Sequence, residues 1–420
     1  MRKAKNILSN IDIISVLIYV ILMIFGLINI YASQYNEDMT FALDITNKYG
    51  KQLIFMILAS VIAFLILIID WKFYFSLSYI FYCISIILLI GVLFIGKKTG
   101  GAISWYELGE FKFQPSEFAK FTTGLALAKY YNSLHTKIKT IQQKILTYSI
   151  IIVPLLLTVI QNDLGTALIY SGFILVLYRE GLSPRILIFG ILTIFLFILC
   201  LLIKASILIY SFCIISLIIL SLTRKKKKEI LLILGGLIIS ICFILSSNYI
   251  FNDLLSNHHR KRINILLGKD FDPQGAGYNL IQSKIAIGSG GLTGKGFLNG
   301  TQTRFDFVPE QSTDFIFCTI GEEWGFFGSF LFIILYVSLL LRVLWLSERQ
   351  RSNFSRIYGY SVACILFTHF LINIGMTLGL MPVIGIPLPF TSYGGSSLIG
   401  FTVLVFIFLN LDSYRLQILR

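Results

Sequence analysis

The stretch FVPEQSTDFIF, residues 307–317, changes from polar to apolar within a few positions. Its first half carries Glu310, and its second half opens an apolar run that predicts a helix reaching about Leu341. Asp314 therefore lies where water ends and hydrocarbon begins. A charge at that depth is costly unless something uses or neutralises it, so Asp314 is a candidate functional residue. The alternative is structural: Thr313 or Asp314 caps the start of the helix.

The composition of the chain places it among all-α polytopic membrane proteins. Of its 420 residues, 56% are hydrophobic and only 13% are charged, and the mean hydropathy is +0.82. Soluble proteins carry about 25% charged residues. The excess of 35 Lys and Arg over 21 Asp and Glu falls in short loops between apolar runs, where it acts as a topology signal. We therefore expect no nucleic-acid partner.

The cysteine pattern argues against a disulfide framework and against a zinc site. No C-x-x-C pair occurs, and all six cysteines lie within apolar runs. The first apolar run is long enough to span a membrane and is followed by no small-residue cleavage site, so we interpret it as an uncleaved helix.

Apolar runs of roughly 17 to 25 residues are candidate membrane spans, and the chain contains about twelve of them. The strongly basic short segments, such as Arg224–Lys228, all fall on one side, which the positive-inside rule makes the cytoplasm together with both termini. We predict a single transmembrane domain over residues 1–420. The predicted helices are about 13–31, 52–69, 73–95, one from 115 onward, two flanking 161–166, 186–203, 205–222, 230–248, 314–343, 356–379 and one ending near 411.

The polar segments on the other side are expected to meet at the outer face of the bundle. The longest is residues 251–313, an extracytoplasmic loop of about sixty residues, and loops of that length usually serve a function. Residues 381–396, which contain PLPFTSYGGS, predict an irregular re-entrant or lid segment. Shorter outer segments are residues 34–51, 96–116 and 161–166.

Several polar residues near this face have more than one interpretation. Trp105 suits an interfacial aromatic belt or stacking on a sugar. Glu117 and Lys120 have the i,i+3 spacing of an ion pair, either inside the bundle or on a helix surface. In the long loop, Arg260 and Arg262 indicate an anionic lipid headgroup as a ligand.

The glycine-rich piece GSGGLTGKG, residues 288–296, does not match the phosphate-loop pattern. Ser289 and Gly296 stand where that pattern requires Gly and then Ser or Thr. The piece either wraps an anion with its backbone N–H groups or turns between short helices. Turns are the interpretation we favour.

Several of these pieces together resemble the SEDS family, the shape, elongation, division and sporulation proteins. Within the family, QSKIAIGSGGLTGKG and the GTQ before FVPE resemble the RodA branch more than the FtsW branch. The family usually has two basic residues where this chain has Ile103 and Ser104. The matching pieces are FQPSEFAK (113–120), QNDLGTA (161–167), DPQGAGYNLIQSKIAIGSGGLTGKGFLNGTQ (272–302), FVPEQSTDFIF (307–317), GEEWG (321–325) and NIGMTLGLMPVIGIPLPFTSYGGSS (373–397).

The resemblance implies a peptidoglycan glycosyltransferase that polymerises lipid II into glycan strands at the outer face of the cytoplasmic (inner) membrane during elongation and shape maintenance. Its partners would be a class B penicillin-binding protein, which cross-links the strands, and other membrane proteins of the elongation complex. The family core has ten transmembrane helices, so the helices counted above imply an extra hairpin within residues 186–248.

The chemistry of such a reaction suits the outer-face residues. A sugar hydroxyl attacks the anomeric carbon of a lipid-linked sugar and expels a polyprenyl pyrophosphate, which requires a general base and either positive charge or a metal ion. Asp314 is the expected base, because partial desolvation would raise its pKa toward a useful range. Glu310 is a candidate ligand for the acceptor sugar or for a divalent cation such as Mg²⁺ or Mn²⁺, and no other cofactor is expected.

The other substrate-binding candidates fall into two groups. The candidates for holding the pyrophosphate are the basic residues Arg260, Arg262, Lys284 and Lys295. The remaining candidates are Trp105, Glu117, Lys120, Gln302, Thr313, Tyr393 and Ser396. Two nearby carboxylates have structural interpretations: Glu322 is expected to pair inside the bundle, and Asp163 comes shortly before Gly165.

Two rival functional classes fit part of the pattern. A lipid II flippase would also combine many helices with membrane carboxylates such as Glu117 and Glu322. Alternating access, however, requires polar residues along a mid-membrane path, whereas the unusual residues here crowd the outer face. A non-enzymatic scaffold that recruits cell-wall enzymes would have little use for a carboxylate at a helix mouth beside a cationic loop.

Overall fold

A computed structural model of the chain describes residues 10–35, 47–99, 101–109, 111–133, 140–223, 227–255, 257–269, 277–305 and 307–415. Within these ranges, ten helices are long and apolar enough to cross a membrane, which confirms the predicted fold class. The helices are α1 (Ile13–Ala32), α2 (Lys48–Ile68), α3 (Trp71–Ile95), α4 (Pro115–Ser133), α5 (Ile141–Ile160), α6 (Leu164–Ser171), α7 (Phe173–Arg179), α8 (Pro184–Leu202), α9 (Ala205–Leu222), α10 (Lys227–Tyr249), α11 (Asn257–Leu266), α12 (Tyr278–Ser289), α13 (Thr301–Arg304), α14 (Ile316–Glu348), α15 (Asn353–Thr377) and α16 (Gly395–Ser413).

The observed helices account for the predicted spans. Two predicted spans are helical but fall outside the ten. The first, α4, is less apolar and carries Glu117 and Lys120 in its first turns. The second is divided into α6 and α7 at Gly172. With these two included, the described helices match the number of spans, about twelve, that the lengths of the apolar runs predict. Helices α8, α9 and α10 occupy the three apolar runs within residues 186–248.

Local sequence explains where individual helices begin. Asp12 precedes α1 and accepts hydrogen bonds from the backbone N–H and the hydroxyl of Ser15, at 3.0 and 2.7 Å. Asp163 caps α6 in the same way, accepting from the backbone N–H of Thr166 at 3.0 Å. Its other carboxylate oxygen accepts from the side-chain amide of Gln114 at 3.1 Å. These contacts agree with the structural interpretation of Asp163.

The chain divides into two compact units, the first of which comprises Met1–Gly181 and Tyr278–Arg420. In this unit α4 packs against α3 and α15, α14 packs against α1, α12 and α15, and α16 packs against α2. Among the ten spans, α15 and α16 are the most enclosed, since 78% and 67% of the residues in their most apolar stretches are buried. These two helices therefore form the centre of the first unit.

The second unit, Leu182–Gly277, contains α8 to α11. Its core is formed by Cys200, Leu208 and Ile244, which come from α8, α9 and α10. Beyond α10 the chain continues as a π-helical turn, Ile250–Leu254, and then forms α11. Part of the long segment predicted as a loop is thus helical.

A small antiparallel sheet, which the sequence analysis did not predict, follows α3 in the first unit. Glu107 on its central strand accepts from Lys97 at 2.6 Å and lies 3.3 Å from the ammonium of Lys112. The hydrogen bond from Lys97 lowers the pKa of the Glu107 carboxyl. The strands are β1 (Lys97–Thr99), β2 (Ala102–Leu108) and β3 (Phe111–Phe113), paired in that order.

The outer segments of the first unit gather at one end of it. The backbone N–H of Ile103 in β2 donates to the carbonyl of Gln161 at 2.9 Å, which joins the sheet to the turn before α6. The hydroxyl of Ser396 donates to the carbonyl of Lys112 at 2.6 Å, which joins the sheet to the start of α16. Segments that the sequence separates widely are therefore hydrogen-bonded to one another.

Ion pairs between helix ends hold the opposite end of the first unit. Arg342 in α14 donates to Asp12 at 2.5 Å, before the start of α1. Asp412 in α16 is fully buried and accepts from Arg349 at 2.5 Å and from Gln350 at 2.6 Å. Segments predicted to be cytoplasmic and segments predicted to be outside thus occupy opposite ends.

The predicted loop of residues 251–313 contains α11, α12 and α13 within its described parts. Residues 381–394 are irregular before α16 begins, as the lid interpretation requires. Predicted features that lie outside the described residues are the basic segment Met1–Lys5, part of the outer segment 34–51, Lys137 and Lys139, residues 224–226 of the basic run, most of DPQGAGYN and residues 416–420 of the tail.

Candidate active site

The helix that follows Asp314 is broken at Gly325, whose φ of 64° and ψ of −161° interrupt α14. A break of this kind leaves backbone groups without helical partners. The glycine-rich loop supplies new partners, because the N–H groups of Lys295 and Gly296 donate to the carbonyls of Glu322 and Glu323, both at 3.0 Å. The loop thus completes the hydrogen bonding of the helix.

The same loop also accepts hydrogen bonds from the second half of α14. The N–H of Phe326 donates to the carbonyl of Gly291 at 2.9 Å, and that of Phe327 donates to Leu292 at 3.1 Å. The two backbones approach so closely that a Cβ atom at Gly294 would lie 2.1 Å from a carbonyl oxygen of α14. The glycines therefore permit backbone packing and turns, which confirms the interpretation we favoured over an anion-binding loop.

Glu322 fixes the segment that follows the glycine-rich loop. Its Oε1 accepts from the ammonium of Lys295 at 2.6 Å and from the backbone N–H groups of Thr301 and Gln302, both at 2.8 Å. Its Oε2 accepts from the backbone N–H and the hydroxyl of Thr303, both at 2.9 Å. A buried carboxylate with this many donors is well satisfied. Glu322 therefore pairs inside the protein as predicted, and it engages Lys295 and the backbone of Gln302, two of the substrate-binding candidates.

Asp314 lies in a series of turns immediately before α14 and is half-buried. The N-cap position of the helix is Phe315, so neither of the residues proposed as a cap occupies it. The side-chain amide of Asn373 in α15 donates to the carbonyl of Asp314 at 2.8 Å and to that of Ile386 at 2.7 Å. A Cβ atom at Gly385 would lie 3.2 Å from Oδ2 of Asp314. The carboxylate is thus placed against the backbone of the irregular segment 381–394.

The other end of segment 381–394 is bound to the residues just before Asp314. The hydroxyl of Ser392 donates to the carbonyl of Thr313 at 2.5 Å and accepts from the N–H of Leu388 at 2.8 Å. The N–H of Tyr393 donates to the carbonyl of Ser312 at 2.8 Å. Burial raises the pKa of the Tyr393 hydroxyl, so it stays a neutral donor. Two predicted site residues, Thr313 and Tyr393, are therefore brought to Asp314.

Glu310 forms the turn that leads into Asp314 and has a φ of 55°. Its carbonyl accepts from the N–H groups of Thr313 and Phe315, at 3.1 and 3.2 Å, and its Oε2 accepts from the hydroxyl of Thr313 at 2.9 Å. The side chain is otherwise exposed. No group of three or more His, Cys, Asp or Glu residues suited to a metal ion occurs in the described part of the chain, so a metal at Glu310 stays a prediction.

A small polar cavity of about 220 Å³ opens beside this turn. Its walls include Lys48, whose ammonium donates to the hydroxyl of Ser312 at 3.1 Å, and Gln311, whose amide donates to the carbonyl of Ser33 at 2.7 Å. An ammonium has three N–H donors, so Lys48 keeps donors for a ligand. The cavity is lined by Ser33, Gln34, Lys48 and residues 308–312.

Glu117 and Lys120 form an ion pair inside the bundle, with an N–O distance of 2.7 Å. Both are buried, at 5% and 2% exposure, and Lys120 also lies 4.6 Å from the ring centre of Phe401. A second polar partner is His369 in α15, whose Nε2 lies 2.9 Å from the Lys120 ammonium. Of the two alternatives from the sequence, the structure shows the buried pair, and direct contact with substrate stays a prediction.

The remaining candidates are spread over the two units. Trp105 is half-buried in β2, and Ser396 is bound to the neighbouring strand as described above. Lys284 is exposed on α12, with its ammonium beside Gly379. Arg260 lies in α11 of the second unit, where it donates to the carbonyl of Asn252 at 2.8 Å, and Arg262 is on the same helix.

Sequence reasoning missed Lys48, Asn373 and His369. A signal exists for Lys48, because a lysine that begins a span on the predicted outer side opposes the positive-inside bias. A weaker signal exists for the other two: they are polar, and their i,i+4 spacing places them on one face of an otherwise apolar span. Nothing in the sequence names their partners.

Comparison with known proteins gives matches over nearly the whole chain. A family model described as cell cycle protein, covering FtsW, RodA and SpoVE, matches residues 13–213 and 204–417. The chain is 35% identical over 319 residues to the peptidoglycan glycosyltransferase MrdB of Escherichia coli K12, which covers 76% of this chain and 73% of that protein. It is 32% identical over 419 residues to the peptidoglycan glycosyltransferase RodA of Treponema pallidum, which covers 93% of this chain and 94% of that protein.

The fold has a counterpart among solved structures. It is similar to a chain from a study described as "Structural coordination of polymerization and crosslinking by a peptidoglycan synthase complex". The TM-score is 0.70 at 28% sequence identity, and the match covers 97% of this chain and 99% of the other.

Proposed function

We propose a mechanism for this chain, which belongs to the FtsW, RodA and SpoVE family of cell cycle proteins. It is a multi-pass membrane protein and a peptidoglycan glycosyltransferase of the RodA type. Its substrate is lipid II, which it polymerises into glycan strands at the outer face of the cytoplasmic membrane.

The position of Asp314 carries this proposal. The carboxylate is half-buried at the polar end of the first unit and lies against segment 381–394. A carboxylate so placed can take the proton of a bound sugar hydroxyl. Asp314 is the general base: the hydroxyl loses its proton to the carboxylate, its oxygen attacks the anomeric carbon of a second sugar, and the bond to the pyrophosphate breaks.

The leaving pyrophosphate requires positive charge, and Lys48 provides it beside the polar cavity. Its ammonium lies at Ser312, two positions before Asp314 in the chain, and the side chain is exposed. Lys284 is the other exposed lysine among the candidates of the first unit. Lys295 has a structural role instead, because its ammonium is held by Glu322 and by the hydroxyl of Thr301, both at 2.6 Å. Arg260 and Arg262 of α11 are proposed to bind an anionic lipid headgroup.

A divalent cation is the other means of neutralising the pyrophosphate. Glu310 is the proposed protein ligand, since its side chain is exposed at the entrance to Asp314. With one carboxylate from the protein, such an ion takes its other ligands from phosphate oxygens and water, which is the usual arrangement for Mg²⁺.

The polyprenyl chain of the substrate lies in the groove between α1 and α2. A cavity of about 650 Å³ there is lined by side chains that are apolar except for Ser60: Leu27, Leu53, Met56, Ile57, Ser60, Val61 and Phe64. The groove begins next to Gln52, which accepts from the N–H of Gly394 at 3.2 Å and so adjoins segment 381–394. This continuity supports a binding mode in which the lipid tail lies in hydrocarbon and the headgroup reaches the polar end.

The proposed partner is a class B penicillin-binding protein, together with other membrane proteins of the elongation complex. The similar solved structure comes from a peptidoglycan synthase complex that coordinates polymerisation with crosslinking. Both termini are proposed to lie in the cytoplasm, because basic residues occur near each of them.

Incubation of the purified protein with lipid II in detergent tests the reaction. A transferase yields glycan polymer, resolved by gel electrophoresis, and adding the partner should raise the rate. A flippase or a scaffold yields no polymer, because neither makes a glycosidic bond. The control is the same mixture with a monofunctional polymerase, which establishes that the lipid II is competent.

A further inference from the structure

His369 is a buried polar residue of α15 for which the mechanism above has no role. It is 2% exposed, and its ring and that of Phe401 pack nearly perpendicular to each other with a centroid distance of 4.7 Å. Its Nε2 lies 2.9 Å from the ammonium of Lys120, and its Nδ1 lies 3.3 Å from the carbonyl oxygen of Pro387. Both ring nitrogens therefore have a polar partner.

These partners fix the tautomer of the imidazole. The ammonium of Lys120, paired with Glu117, is only a donor, and the carbonyl of Pro387 is only an acceptor. A neutral imidazole with its proton on Nδ1 satisfies both, because Nε2 accepts from the lysine and Nδ1 donates to the carbonyl. A second proton on Nε2 would face the lysine ammonium directly.

The carbonyl that His369 binds is part of the backbone that contacts Asp314. Asn373, one turn further along α15, binds the adjacent carbonyl of Ile386 together with that of Asp314. Gly385, the next residue toward the N-terminus, lies against the Asp314 carboxylate. Two side chains on one face of α15 thus hold consecutive carbonyls of segment 381–394.

We propose that His369 is a positioning residue: it couples the buried Glu117–Lys120 pair to Pro387 and thereby sets where segment 381–394 lies against Asp314. This role rests on the function proposed for Asp314. It also gives the buried ion pair a purpose, since Lys120 fixes the orientation of the imidazole without reaching the substrate. The contact that matters is the hydrogen bond from Nδ1 to the Pro387 carbonyl.

Two substitutions separate the two hydrogen bonds of His369. In His369→Asn the amide occupies the place of Nδ1 and can still donate to Pro387. In His369→Gln the amide reaches the place of Nε2 and satisfies Lys120, but the bond to Pro387 is lost. Small displacements of a catalytic group reduce turnover more than binding, so kcat of the Gln variant should fall on the order of 10-fold with KM for lipid II within about twofold. The Asn variant should retain a kcat several times that of the Gln variant.

Hydrogen exchange gives a readout that does not depend on turnover. Backbone amides of residues 384–392 should exchange faster in the Gln variant than in the Asn variant, since the carbonyl anchor is lost only in the former. The control is Ser361→Ala, which removes a buried hydrogen bond of α15 to Ile357 (2.9 Å) away from the segment. It should change neither kcat nor this exchange.

Equal kcat and equal exchange in the two His369 variants would overturn the proposal and leave the imidazole as a space-filling group. A loss of kcat in Ser361→Ala as large as in His369→Gln would also overturn it, because the effect would then be general to α15. Absence of polymer from the unsubstituted protein would refute the proposed function and any role of His369 in catalysis. The hydrogen-exchange comparison would still decide whether the imidazole holds segment 381–394 in place.

Discussion

Asp314 and Gly385 show how the site depends on backbone positions as well as on side chains. Gly385 has a φ of 79°, a region that side chains with a Cβ rarely adopt. A Cβ atom there would also lie 3.2 Å from Oδ2 of Asp314. Glycine is therefore favoured at this residue for two reasons: its own conformation and the position of the Asp314 carboxylate.

The substitution Gly385→Ala should lower kcat on the order of 10-fold, because the new methyl group displaces Asp314. The left-handed conformation should also cost about 1 to 2 kcal/mol of stability. The control is Gly181→Ala, because Gly181 has a φ of 108° and a Cβ atom there would have no atom within 4 Å. It should lose similar stability and keep its kcat. Turnover assays and thermal unfolding in detergent measure both effects, and equal kcat in the two variants would contradict this role of Gly385.

At the level of residues, the sequence identifies chemistry but not neighbours. Asp314 is recognisable because a carboxylate at the mouth of an apolar helix is unusual. Asn373, His369 and Lys48 contact partners that lie far away in the chain. That proximity arises only when α4 packs against α15 and when the turn before α14 meets α2 and α15. Lys295 shows the same limit, since the sequence does not reveal that this basic residue of an outer loop pairs with the buried Glu322.

At the level of elements, α14 and the glycine-rich loop form one unit. The kink at Gly325 opens backbone hydrogen bonds that the loop closes, and Glu322 ties the following segment to the same place. The loop thereby supports the first turns of α14, which begins two residues after Asp314. The glycines of residues 288–296 therefore have a packing function.

The substitution Gly294→Ala should destabilise the protein by on the order of 2 to 4 kcal/mol, because its Cβ atom would collide with backbone at a strained φ. The collision distance is 2.1 Å to the carbonyl oxygen of Glu323, and the φ is 80°. The matched control is Gly288→Ala in α12, where a Cβ meets nothing within 4 Å. That change should be neutral or stabilising by up to about 1 kcal/mol. Thermal unfolding of both variants gives the comparison, and equal stability would show that the loop does not support the kink.

Run length and hydropathy predicted the helices well, because a membrane span needs a long apolar stretch whatever it packs against. The sheet of residues 97–113 was missed, since its strands are short and separated by single turns. The division between α6 and α7 at Gly172 and the kink at Gly325 were also missed. Both depend on contacts with other segments, which the local sequence does not contain.

At the level of the whole molecule, the ion pairs between helix ends and the candidate site lie at opposite ends of the first unit. One end carries ion pairs such as Arg342 with Asp12, and the other carries the sheet, the turn at Asp314 and segment 381–394. The second unit, Leu182–Gly277, has a core of its own. This separation suits an enzyme whose lipid-linked substrate arrives from one face of the membrane.

Single cysteines introduced at Asn299 and at Lys228 should differ in their reaction with a membrane-impermeant maleimide applied to intact cells. Asn299 belongs to the predicted outer face and should be labelled, whereas Lys228 belongs to the basic run that is predicted to be cytoplasmic and should be protected until the membrane is opened. Both positions are exposed, and the background must lack the six native cysteines. The reverse pattern would end the outer-face model of the site.

The most direct test of the mechanism is the rate of glycan synthesis by Asp314→Asn. Asn keeps the shape of the side chain and caps helices as well as Asp does, but it is not a base. The control is Asp163→Asn, whose carboxylate caps α6 at the same end of the unit. With purified protein, its penicillin-binding partner and lipid II, we predict that Asp314→Asn loses at least about 100-fold in kcat at nearly unchanged thermal stability, while Asp163→Asn stays active. Polymer from Asp314→Asn at the unsubstituted rate would contradict the assignment of Asp314 as the general base.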